Sequence, residues 1–186
     1  MKFLIIGLGN IGPEYELTRH NIGFLVLDRL AEKHEAKFST SRLADHAEFR
    51  LKGKSIHLIK PNTYMNLSGK AMAYWMKELN VPKEHTLVVV DDIVLPFGKL
   101  RLRPQGSSAG HNGLKNIEEL TGGQNYPRLR VGIGSDFGRG QQVDYVLSRF
   151  SEEEFKQMPE LLDRAGDSIT TFCLAGLVTA MNTFNR

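Results

Sequence analysis

Apolar residues recur along this chain with two different periods. Residues 3–6 and 86–90 are short, almost unbroken apolar runs, the pattern of strands buried on both faces of a sheet. The second run belongs at the sheet centre. Phe24, Leu27, Leu30 and Ala31 recur at helical spacing and predict a helix over about 21–34. Met72, Trp75, Met76 and Leu79 predict another, ended by Asn80-Val81-Pro82. Residues 48–51 and 55–60 read as a hairpin turning at Lys52-Gly53-Lys54. Residues 100–103 and 129–133 supply further strands, and a third helix starts near Gly113 after a glycine-rich loop. Ser151 and Glu154 have the spacing of a capping box. The helix they open is expected to break or restart near Pro159, with a last helical stretch over about 167–183. Strands alternating with helices predict an α/β fold. We expect a single domain over residues 1–186, built on a central mixed, partly parallel β-sheet flanked by helices.

Three of these strands run out into polar residues. Asn10 and then Thr18-Arg19-His20-Asn21 follow the first, Pro61-Asn62-Thr63-Tyr64-Met65-Asn66 follows the hairpin's second strand over 55–60, and Asp91-Asp92 follows the central run. In open α/β sheets the ligand crevice lies beyond the carboxyl ends of the strands. If the strands are parallel neighbours, Asn10, His20, Asn66 and Asp91 converge. The loop Gly106-Ser107-Ser108-Ala109-Gly110-His111-Asn112-Gly113 precedes a helix, and its N–H groups suit an anionic group.

Composition narrows the classes. The chain has 186 residues, 41% of them hydrophobic, enough for a real core. The single cysteine, Cys173, cannot form an internal disulfide, which points to a reducing, cytoplasmic setting. No Cys/His cluster has zinc spacing, so no metal site is expected. Residues 3–6 are too short for a signal segment, and no apolar run reaches membrane length. A net charge of +3 and a pI near 9.0 permit a polyanionic partner without requiring one. Lys99, Arg101 and Arg103 alternate with Leu100 and Leu102, so a strand would put the cations on one face. That face suits phosphate contact or plain solvation equally.

Gly7, Gly9 and Gly12 have the spacing of a dinucleotide-binding loop, but the context fails. Pro13 follows Gly12 directly, no helix opens inside the glycine loop, and no acidic strand end follows at the right distance. The glycines instead let the backbone approach a substrate closely and present Asn10. A histidine, an aspartate and three asparagines, with no evident Ser or Cys nucleophile, suggest water as the nucleophile. Histidine can take its proton. A carboxylate would orient the ring, and carboxamides would donate to a developing oxyanion. Of the six histidines, His34, His46, His57 and His85 read as surface or satisfied core residues. His111 reads either as catalytic or, preferably, as fixing the turn that presents Asn112. These residues alone indicate a hydrolase or a binding crevice.

Longer motifs say more. Gly7 to Phe24 matches GLGN-x-G-x-x-Y-x-x-T-R-H-N-x-G-F, and Pro61 to Gly69 matches a second motif. An Asp-Asp segment leads to Leu95-Pro96-Phe97-Gly98-Lys99-Leu100-Arg101. Gly110-His111-Asn112-Gly113-Leu114-Lys115 is followed by Tyr126 to Gly134. In this order and spacing the chain resembles the bacterial peptidyl-tRNA hydrolases over nearly its whole length. The resemblance implies a monomeric, cofactor-free and metal-free hydrolysis of the ester joining a peptide to the 3′ ribose of tRNA. It makes His20 the base, Asp91 its orienting partner, and Asn10 the contact to the peptide. Tyr15, Tyr64, Asn66 and Asn112 would line the substrate site, with Met65 packed beside it. Lys99, Arg101, Arg103 and Lys115 become candidates for tRNA phosphates. A non-catalytic RNA-binding protein on the same scaffold is the alternative, and the presence of both His20 and Asp91 favours the enzyme. Ile11, Val94, Ala109 and Ser135-Asp136 depart from the family pattern.

Overall fold

A computed structural model describes residues Met1–Arg186. Strands β1 (Lys2–Gly7), β2 (Ser39–Thr40), β3 (Ala44–Leu51), β4 (Lys54–Pro61), β5 (Thr86–Asp92), β6 (Leu100–Arg103) and β7 (Arg128–Gly132) form one sheet in the order β2-β3-β4-β1-β5-β7-β6. The β4, β1, β5 and β7 strands are mutually parallel, while β2, β3 and β6 pair antiparallel at the two ends. The sheet is therefore mixed, as the alternation of elements predicts.

Both faces of the sheet are covered, which explains the unbroken apolar runs. Phe3 and Ile5 of β1 and Leu87 and Val89 of β5 point into one core with helices α1 (Ile22–Lys33), α5 (Glu152–Ala175) and α6 (Leu177–Phe184). Leu4, Ile6, Val88 and Val90 point into the other, beneath α2 (Ser68–Leu79) and α3 (Asn112–Thr121). A five-residue helix, α4 (Gln142–Val146), stands at the carboxyl ends of the parallel strands.

The expected break at Pro159 does not occur. The α5 helix runs through it from a complete Ser151/Glu154 capping box. Pro159 lies on the exposed face, where the carbonyl it leaves unpaired can be hydrated. The interruption falls instead at Gly176, whose φ of 93° and ψ of 166° no side-chain-bearing residue adopts readily.

Two of the three glycines of the first motif, Gly7 and Gly9, serve packing, while Gly12 takes a φ of 114°. A Cβ on Gly7 would lie 2.5 Å from the Gly23 carbonyl oxygen, and one on Gly9 would lie 2.8 Å from the Phe24 ring. They clear room for α1 rather than for a substrate, contrary to the expectation from sequence. Asn10 is presented all the same, because the Asn21 carboxamide accepts from the Asn10 N–H at 2.8 Å and donates to its carbonyl at 2.9 Å.

Candidate active site

Asp91 is the penultimate residue of β5 and is almost completely buried, its side chain only 2% exposed. Its Oδ2 lies 2.8 Å from His20 Nδ1 and its Oδ1 lies 2.9 Å from His111 Nε2. Two imidazoles thus share one carboxylate. The hydrogen bonds each ring makes fix its tautomer. Nδ1 of His111 accepts from the Gly113 and Leu114 N–H groups at 3.1 and 3.4 Å, capping α3. His111 Nε2 therefore carries the proton and donates to Asp91. His20 donates through Nδ1, which leaves its Nε2 as a free lone pair. Burial by itself would raise the Asp91 carboxyl. The charges and hydrogen bonds of His20 and His111 outweigh it and hold the group well below the usual carboxylate range.

The neighbouring Asp92 does something else. Its Oδ1 accepts from the Val94 N–H at 2.8 Å, and its Oδ2 lies 3.8 Å from Arg130 Nη1. It shapes the turn after β5.

His20 and Asn112 lie between two cavities. One, about 280 Å³, is lined by Asn10, Tyr64, Met65 and Asn66. The other, about 170 Å³, is lined by Asp91, Asp92, Val94, His111 and Arg130. Val143 and Val146 of α4 border both. A larger cavity of about 540 Å³ opens at the opposite end of the sheet, between Phe3, Lys54, His85 and Phe172, but no imidazole there is bonded to a carboxylate.

Asn10 ties two loops together. Its Oδ1 accepts from the Met65 N–H at 2.7 Å, so only its Nδ2 is left to face a ligand. Tyr64 sits beside it with φ of 64°, a costly conformation for a non-glycine residue and one that clusters at functional sites. Met65 is buried under Gly113, where a Cβ would lie 2.8 Å from its sulfur. Tyr15 lines neither cavity. Its carbonyl accepts from the Thr18 hydroxyl at 2.8 Å, in the turn leading to His20.

Three parts of the site escape a reading of the sequence. The first is the second imidazole on Asp91: His111 both fixes the turn and meets the carboxylate. The second is α4, whose five residues are too few to show a period. The third is a set of arginines. Arg19 donates to Ser148 Oγ, to the Arg149 carbonyl at 2.7 Å and to Glu154 Oε1 at 2.9 Å, with its guanidinium 4.3 Å from the centre of the Tyr145 ring. It thereby ties the His20 turn to α4 and to the start of α5. Arg128, fully buried against Tyr126, donates to the carbonyls of Gly106 and Gln124, and Arg130 donates to that of Ser107. These two hold the loop that delivers His111. Within it Ala109 adopts φ of 50°, which explains why the family pattern has glycine there.

The basic strand is only partly as predicted. Leu100 and Leu102 are buried, and Arg101 and Arg103 lie half-buried on the other face. Arg101 pairs opposite Arg130, which lines the crevice. Lys99 lies outside β6, and its ammonium donates to the main-chain oxygen of Arg186, which occupies it.

The peptidyl-tRNA hydrolase family model matches residues 4–186. A peptidyl-tRNA hydrolase of Cytophaga hutchinsonii is 57% identical over 185 residues, covering 100% of this chain and 98% of that one. One of Bacteroides fragilis is 54% identical over 186 residues, with both chains fully covered. The crystal structure of peptidyl-tRNA hydrolase from Acinetobacter baumannii superposes with a TM-score of 0.92 at 32% identity, over 98% of this chain and 94% of that one. No helix here is long and apolar enough to cross a membrane. With the sheet, the loop motifs and the full-length similarity in agreement, this chain belongs to the peptidyl-tRNA hydrolase family and is a hydrolase.

Proposed function

We propose that the chain hydrolyses the ester joining a peptide, or an N-blocked aminoacyl group, to the 3′ ribose of tRNA. It acts as a monomeric catalytic domain in the cytoplasm, with His20 as general base. The observation that carries this reading is the buried Asp91 carboxylate bonded to Nδ1 of His20, which turns the basic Nε2 toward the two cavities. Water held at Nε2 gives up a proton as its oxygen attacks the ester carbonyl. The resulting imidazolium is stabilised by Asp91 without proton transfer to it. Collapse of the tetrahedral intermediate breaks the bond to the ribose oxygen, which takes the proton back from His20. Nδ2 of Asn10 and the carboxamides of Asn66 and Asn112 donate to the peptide and to the developing oxyanion. Arg101, Arg103 and Lys115 meet tRNA phosphates and position the 3′ end.

The test is hydrolysis of N-acetyl-aminoacyl-tRNA by chelator-treated protein, with free aminoacyl-tRNA as control. Cleavage of the blocked substrate alone is expected. His20→Ala should lower kcat by roughly 10²–10⁴ with tRNA binding retained, and Asp91→Asn should cost more than Asp92→Asn. Binding lost in step with turnover would make His20 structural, and a larger effect at Asp92 would overturn the assignment of the pair.

A further inference from the structure

His46, Glu48 and His57 come from adjacent antiparallel strands and share one sheet face. His46 and Glu48 are two apart on β3, and His57 on β4 pairs directly opposite Glu48. One ligand atom of each lies within 4.8 Å of the others. Far from Asp91 in the sheet order, they form the second cluster of this kind in the molecule. His46 Nε2 and His57 Nδ1 are 2.9 Å apart, so one of the two donates to the other. His57 is 5% exposed, and its Nε2 has no hydrogen-bond partner at all. Glu48 Oε2 lies 3.7 Å from it. That gap is too long for a hydrogen bond. It fits the span between two ligands of one ion, since two bonds of about 2.0–2.1 Å subtend about 3.3 Å at a tetrahedral angle and more at wider ones.

We propose that this face of the β3–β4 hairpin binds a divalent transition-metal ion of the zinc or nickel type. His57 Nε2 and Glu48 are its direct ligands, and His46 orients His57. Ligation through Nε2 puts the remaining proton of His57 on Nδ1, where it is donated to His46 Nε2. This is the outer hydrogen bond that metal-bound imidazoles keep. Glu48 is 46% exposed, so water reaches the ion from its side and completes the coordination.

The chain supplies its own reporter. Trp75 is its only tryptophan, and it stacks on His46 with ring centroids 4.8 Å apart. Untagged, chelator-stripped protein is titrated with Ni²⁺ while tryptophan fluorescence is followed, with N-acetyltryptophanamide as the free-dye control. Saturable quenching by one ion per chain is expected, reversed by EDTA. Glu48→Gln and His57→Gln should each weaken it by more than about tenfold, and His46→Phe by about 10–100-fold. His20→Ala should leave it unchanged. Glu48 is a surface position, so its variant remains informative if His57→Gln fails to fold. Quenching no stronger than that of the free dye, or quenching untouched by Glu48→Gln, would overturn the site.

Discussion

Asp91 meets Nδ1 of His20 and Nε2 of His111, and the two rings differ in what their second nitrogen does. That of His20 is free, while that of His111 is committed to the amino end of α3. The two functions of His111 can be separated by substitution. His111→Ala removes both and should cost about 1 kcal/mol of stability through the lost cap, together with a fall in kcat. Asparagine is a good cap but is too short to repeat the contact with Asp91. His111→Asn should therefore restore most of the stability, read as the urea midpoint, without restoring kcat. If it restores both, the bond to Asp91 contributes nothing to turnover and His111 is a cap alone.

Among the elements, the β3–β4 hairpin carries the clearest dependence on pH. Burial lowers the proton affinity of His46 and His57 below the ordinary histidine value of 6.5. Below that pH the unfolded chain binds protons that the folded hairpin refuses, so their contribution to stability is present above about 6.5 and lost as the pH falls. Urea midpoints of chelator-treated protein should drop between pH 7 and pH 5, and the drop should shrink in His57→Gln. A drop of the same size in the variant would place the pH dependence elsewhere. Neither the pairing of these two histidines nor the meeting of His111 with Asp91 could be read from the sequence, because register across strands and loops has no local signature. The elements with several turns or a continuous apolar run were legible: β1, β5, α1 and α2 lie where periodicity puts them. The helix α4 was not, being too short for a period. The break after α5 was misplaced because a solvent-facing proline can be accommodated, whereas the backbone of Gly176 departs from the helix outright. Of the site, Asn10, His20, Asn66 and Asp91 were found through the rule that loops at strand ends carry the chemistry, and Asn112 lies with them. The arginines that hold those loops were not, since a buried guanidinium bonded to carbonyls looks in sequence like any surface cation.

For the whole molecule, charge is a matter of placement more than of the modest net +3. Arg101 and Arg103 stand opposite Arg130 and Arg128 on one sheet face, and Arg130 reaches the crevice wall. Arg128 and Arg130 are spent on loop carbonyls, so the proposed phosphate contacts fall to Arg101 and Arg103. Arg101→Ala and Arg103→Ala should each reduce the slope of log K against log salt for tRNA binding by about 0.7–0.9. An unchanged slope would make this face solvated surface. The order of strands has a consequence for biosynthesis. β7 is made after β6 yet lies between it and the rest of the sheet, so Leu100–Arg103 leaves the ribosome with no neighbour to pair with. His20 is made well before the Ser148–Glu154 segment that anchors its neighbour Arg19. A nascent chain therefore exposes its histidine long before it can hold it in place, and the centre is assembled only once the Ser148–Glu154 segment has followed.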